Sequence, residues 1–167
     1  MSRLFFIIVI IGSISIFNTQ VIAQSVTSDQ TIFLVRHAEK ADDGTRDPDL
    51  NAKGKRRALK LAEMLISFDI AIIYSTDYKR TRQTAAPLAD ALGLEVKLYD
   101  PRSKVVIADV KTGSGNILIV GHSNTTPMVT NAILGEAKYK QLDEKEYTKL
   151  FILARVSGAY GSAISEF

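Results

Sequence analysis

Short apolar runs of five to eight residues alternate along this chain with stretches whose apolar positions recur at helical spacing. The runs "TIFLV" (31–35), "DIAIIYS" (69–75), "LEVKLY" (94–99), "NILIVG" (116–121) and "KLFILARV" (149–156) each predict a strand. The first, second and fourth are so continuously apolar that both of their faces must be covered. Between them, Asn51 is placed to cap a helix carrying Ala58, Leu59, Ala62, Leu65 and Ile66. "TDYKRTRQTAAPLADALG" (76–93) predicts a second helix, with Thr81, Thr84, Ala85, Leu88 and Leu92 on one stripe, Gly93 as its stop and Pro87 as an internal kink. Residues 102–111 predict a short helix, and Ser123 is placed to cap another that ends at Gly135. A polar loop rich in Asp, Gly and Pro runs to about Leu50, and the tail beyond residue 156 carries no readable pattern.

Buried strands alternating with helices imply an α/β protein: a three-layer α/β/α sandwich around a mostly parallel central sheet. In such sheets ligands bind beyond the carboxyl ends of the strands.

The first 23 of the 167 residues stand apart. Met1, Ser2 and Arg3 give a short basic start, and residues 4–17 are apolar apart from Gly12, Ser13 and Ser15. "VIAQS" then supplies small residues before a polar stretch, the order of a secretory signal peptide cleaved near Ala23. A stretch of 14 residues falls short of the roughly 20 that a spanning helix needs. The expected layout is a signal peptide (1–23), a linker (24–30) and one domain (31–167). The expected address is periplasmic or secreted, with no stable membrane anchor after cleavage. There is no cysteine, which excludes disulfides. The formal charge of +3 falls to +2 once Arg3 leaves with the leader, a small excess rather than a polyanion-binding surface. The one dense basic run, Lys53, Lys55, Arg56 and Arg57, lies on a helix with an opposite apolar face and reads as a solvated surface, so nucleic acid is not an expected partner.

The chain has two histidines, and each follows an apolar strand directly: His37 after "IFLVR" and His122 after "ILIVG". The second strand leads into "YSTDYKR", with Arg80 at the start of the next helix. Arg36, His37, Arg80 and His122 are therefore expected to meet at one rim of the sheet. Two guanidiniums that keep their charge form a forked site for an oxyanion, above all phosphate. The helix after His122 adds the positive end of its dipole. Arg82, two residues beyond Arg80, faces elsewhere and reads as solvated.

Zinc would need three ligands, and carboxylates would have to supply them beside two arginines, so no metal is expected. Magnesium would want carboxylates at strand ends that carry arginine and histidine instead. Imidazole chemistry remains: nearby cations keep His37 neutral and nucleophilic, and a protonated His122 with the arginines would hold the equatorial oxygens. "VGHSNT" suggests a nucleophile elbow on Ser123, but position 125 is Thr and no histidine follows residue 122, which excludes the serine-hydrolase order.

These residues resemble the histidine phosphatase superfamily, which includes cofactor-dependent phosphoglycerate mutases. "LVRHAEK" resembles its R-H-G signature, "YSTDYKRTRQTA" its second motif, "VGHSN" its third, and "LNAKG" (50–54) a frequent helix start between the first two. The likeness covers residues 31–155. It implies a phosphoglycerate mutase-like fold and a phosphatase working through a phosphohistidine without metal or cofactor. His37 would be the nucleophile, and Arg36, Arg80 and His122 the phosphate pocket. Ala38 replaces the usual Gly, while Lys40 and Asp43 stand where many relatives have Thr and Asn. Lys40 and Ser123 remain candidate substrate contacts. Among Asp90, Glu95, Asp100 and Asp109, Asp100 follows a strand end and is the candidate proton donor; its other reading is a turn residue before Pro101. With little room for a substrate cap, the expected partner is a small phosphorylated substrate at an open site, and the leader points to an envelope sugar phosphate. A non-catalytic phosphate-binding relative is the competing reading.

Overall fold

The computed structural model describes residues 29–167. The expected signal peptide, its cleavage site and most of the linker lie outside them. The described chain runs β1 (Gln30–Arg36), α1 (Ala52–Leu65), β2 (Ile70–Ser75), α2 (Lys79–Leu92), β3 (Val96–Leu98), α3 (Val105–Thr112), β4 (Asn116–Gly121), α4 (Thr125–Leu134), β5 (Lys149–Val156) and β6 (Ala159–Glu166).

The strands form one sheet in the order β3-β2-β4-β1-β5-β6. The first four in that order are parallel, and β5 and β6 add an antiparallel edge. Alternation along β1 sends Phe33 and Val35 to one face, where Leu61, Leu65, Ala85 and Leu88 of α1 and α2 cover them. Ile32 and Leu34 point the other way, onto Val106, Val110, Val129 and Ile133 of α3 and α4. The sandwich thus has three layers, and its two most buried strands, β1 and β4, lie side by side.

The helices start and stop largely where local chemistry dictates. Asn51 accepts from the Gly54 amide at 2.9 Å and caps α1. Gly93, in the left-handed region at φ 66°, ends α2, which contains Pro87. The buried face of α1 is Gly54, Ala58, Leu61, Ala62 and Leu65, whereas Leu59 and Ile66, expected on that stripe, are exposed because they lie to one side of its centre. Ser123 does not cap the last helix. That helix starts at Thr125, whose hydroxyl accepts from the His122 amide at 2.9 Å, and Ser123 turns toward a distant loop. The tail without a pattern is β6, which pairs with β5 along its whole length.

Gly54 shows how closely α1 is pressed against the segment that follows β1. A Cβ there would stand 2.1 Å from the Glu39 carbonyl oxygen, a backbone atom with little freedom to yield. Helix propensity alone favours Ala over Gly by about 1 kcal/mol in a helix interior. The collision outweighs that preference, since overpacking costs about 1–3 kcal/mol. Gly54→Ala is expected to destabilise the protein in urea unfolding, by up to about 2 kcal/mol once the propensity gain is subtracted; a stabilised variant would contradict the packing described.

Candidate active site

The site is built by register. In the β1–β4 ladder Arg36 lies opposite Gly121, and the His37 amide extends the ladder to the Gly121 carbonyl at 2.9 Å. The residues after both strands therefore emerge together, and the His37 and His122 rings meet edge to face with centroids 5.3 Å apart. Gly121 is held to hydrogen because a Cβ would lie 2.9–3.2 Å from the hydroxyls of Thr125, Thr126 and Tyr99.

His37 is almost fully buried, and its Nδ1 lies 2.8 Å from the Ala38 carbonyl. A carbonyl can only accept, so Nδ1 carries the proton and Nε2 keeps its lone pair. Burial, reinforced by Arg36, His122 and Arg80, brings the His37 pKa down to about 3. His122 Nε2 is 2.9 Å from the Thr76 hydroxyl. The Thr81 hydroxyl is committed to the carbonyls of Thr76 and Tyr78, so Thr76 donates to Thr81 and in turn accepts from His122 Nε2–H. Burial, then Arg80 and Arg36, lower the His122 pKa to about 4, against the opposing pull of Glu144 and Asp47. Burial thus biases His122 toward the neutral form near pH 7, because desolvation outweighs the nearby carboxylates.

Arg80 lies over the Tyr78 ring at 4.4 Å and reaches Asp47 at 3.3 Å. Asp47 also accepts from the Lys79 amide at the start of α2, so one loop carboxylate fixes both the helix end and the guanidinium. Arg36 is buried, and its Nη1 donates to the carbonyls of Asp143 and Glu146, each at 3.0 Å. Its Nη2 donates to Glu144 at 2.8 Å, and Tyr147 stacks on its face at 4.2 Å. The Nε of each arginine is buried without a protein partner. Arg82 faces outward, as expected, and pairs with Asp77.

Arg36, His37, Arg80 and His122 all line one cavity of about 710 Å³, together with Lys40, Asp100 and Ser123. Lys40 is exposed at the rim, where its backbone bridges to Leu50. Asp100 also lies at the rim, and its side chain accepts from the Arg102 amide at 2.9 Å, the geometry of its turn reading. Ser123 donates to Glu144 at 2.6 Å. The contributions of Asp47, Thr76, Tyr78, Glu144 and Tyr147 were not foreseen. Thr76 sits at a strand end and was discoverable by position, whereas Glu144 and Tyr147 come from a polar loop that shows no periodicity. Among the described residues, no group of three or more His, Asp or Glu side chains is arranged to hold a metal ion.

Proton uptake by the two rings ties the site to stability. In the unfolded chain both titrate near 6.5, but in the folded protein near 3 and 4. The unfolded state therefore binds more protons within that window, and stability falls as pH drops through it, by up to about 1.4 kcal/mol per pH unit for each ring. Urea unfolding is expected to show lower stability at pH 5 than at pH 7. His37→Gln is expected to lose less over the same interval; an equal loss would refute the buried neutral ring.

Comparison with known proteins agrees with this fold. The family model for the histidine phosphatase superfamily (branch 1) matches residues 32–102. The chain is 40% identical over 77 residues to the probable phosphoglycerate mutase GpmB of Enterobacter sp. (strain 638), covering 42% of this chain and 35% of that protein. It is 42% identical over 71 residues to phosphoserine phosphatase 1 of Hydrogenobacter thermophilus, covering 39% of this chain and 34% of that protein. The matched stretch thus spans about a third of each curated relative. Among solved structures, the protein histidine phosphatase SixA complexed with tungstate superposes with a TM-score of 0.65 at 16% identity, over 81% of this chain and 96% of that one. A mycobacterial glucosyl-3-phosphoglycerate phosphatase superposes with a TM-score of 0.58 at 14% identity, over 82% and 97%. With its motifs on adjacent strand ends of this shared fold, the chain is similar to the histidine phosphatase superfamily over residues 32–102 and shares its fold with the solved phosphatases.

Proposed function

We propose that the protein is a metal-independent phosphatase that hydrolyses phosphomonoesters through a phosphohistidine on His37. The observation that carries this reading is a neutral imidazole, its Nε2 lone pair free, beside two arginines with unpartnered buried Nε–H groups in one cavity. Nε2 attacks phosphorus as the bond to the leaving oxygen breaks, and that oxygen takes a proton. Arg36, Arg80 and His122 hold the equatorial oxygens, where negative charge gathers. Bound dianion favours protonation of His122, reversing the bias that burial imposes. Water then attacks the phosphohistidine, breaks the N–P bond and releases phosphate, which returns the imidazole to its neutral form.

Asp100, at the cavity rim, is the proposed proton donor, with Lys40 and Ser123 as substrate contacts. Relatives named for phosphoserine and glucosyl-3-phosphoglycerate support a small phosphorylated substrate. The SixA structure with tungstate supports oxyanion binding on this fold. The apolar stretch of residues 4–17 supports export by a cleaved leader, and with it a sugar phosphate of the cell envelope as substrate. The turn bond that occupies Asp100 favours a second reading, a phosphate-binding protein without turnover.

The test is release of p-nitrophenol from its phosphate ester in the presence of EDTA. Its leaving group is good enough that a weak proton donor does not mask turnover. Wild type is expected to turn over, His37→Ala to fall to background, and Arg80→Ala to lose about 10²–10³-fold in kcat/KM. Activity abolished by EDTA, or retained by His37→Ala, would refute the mechanism. A folded wild type that binds vanadate without turnover would establish the binding reading.

A further inference from the structure

We propose that Glu144 is a resident anion of the phosphate site: its carboxylate competes with phosphate for Arg36 and Ser123 and so sets how tightly substrate and product are held. The proposal rests on the phosphate site assigned above.

The contacts of Arg36 motivate it. Nη1 is committed to two loop carbonyls, and Nη2 donates to Glu144 Oε2 at 2.8 Å. The other carboxylate oxygen, Oε1, accepts from Ser123 Oγ at 2.6 Å. Glu144 thereby joins the last residue of β1 to a residue just beyond β4, as two oxygens of a bound phosphate would, from the wall of the cavity that also holds His37, His122 and Arg80. A phosphate that takes Arg36 as a fork needs Nε and Nη2 together. Nε is unpartnered, whereas Nη2 already carries a carboxylate. Two anions on one guanidinium repel each other, so phosphate must share or displace Glu144.

The surroundings make displacement easy. The Glu144 side chain is 70% exposed while that of Arg36 is 3% exposed. The carboxylate can swing into water without disturbing the core. The loop behind it stays in place, since the Asp143 and Glu146 carbonyls remain on Arg36 and the Leu142 amide donates to the Ser123 carbonyl at 3.0 Å. The moving part is one side chain. Its consequence is weaker retention of the phosphate product as well as of the substrate.

Glu144→Gln tests this, because glutamine keeps the size and the acceptor oxygen and removes only the charge. Phosphate affinity is read twice, by calorimetry with inorganic phosphate and as its Ki against p-nitrophenyl phosphate. The variant is expected to bind phosphate about three- to tenfold more tightly, with KM falling in parallel and kcat not rising. Glu95→Gln, a charge removed just before β3 and so at the opposite end of the sheet, is expected to leave both values unchanged. Phosphate bound no more tightly by Glu144→Gln than by wild type would overturn the proposal, and weaker binding would make Glu144 a positioning residue for Arg36. A wild type that binds no phosphate in calorimetry would overturn the site assignment itself.

Discussion

The parallel pairing of β1 with β4 is the contact on which the site depends. Its register sets Arg36 opposite Gly121, and one further backbone bond holds the His37 amide to the Gly121 carbonyl. Adjacent strands lie about 4.8 Å apart, so the first residues beyond them inherit that separation. The two imidazoles follow from it, with ring centroids 5.3 Å apart. Slipping the ladder by one residue would exchange the faces of β1, setting Phe33 and Val35 against α3 and α4 and Ile32 and Leu34 against α1 and α2, so the same packing that stabilises the sheet fixes the distance between the histidines.

Placing those residues at the rim of a buried sheet has electrostatic consequences. Desolvation holds both rings neutral and leaves the two arginines as the fixed positive charge of the cavity. Arg36 is tolerated at such depth because backbone carbonyls, a carboxylate and an aromatic face surround it. Arg80 is held differently, by Asp47 and Tyr78 near the helix start. Each guanidinium is thus oriented by groups from another part of the chain, and each keeps a buried Nε–H without a protein partner.

Much of this was legible in the sequence. The continuous apolar runs at 31–35 and 116–121 could only be strands covered on both faces, and His37 and His122 directly behind them had to stand at a common rim. Asn51 as a cap and Gly93 as a stop acted locally, because a side-chain oxygen and a left-handed backbone position need no tertiary partner. Where several local solutions compete, sequence reading failed. Ser123 turned to Glu144 and the cap position fell on Asn124, and β6 has no alternation strong enough to announce a strand until β5 lies beside it.

The sequence by itself determined the layered α/β architecture and the identity of the four central residues, because periodicity and strand-end position are properties of a local stretch of chain. Only the tertiary structure decided their protonation and their partners. Whether His122 is charged depends on how much water the packed helices exclude, and no single segment encodes that. Glu144, Tyr147 and the carbonyls of residues 143 and 146 reach Arg36 across more than 100 positions in the chain, through a loop whose composition is ordinary. Contacts of that kind exist only once the sheet has closed around β1, since a hydrogen bond between distant groups is set by geometry in space and not by spacing along the chain.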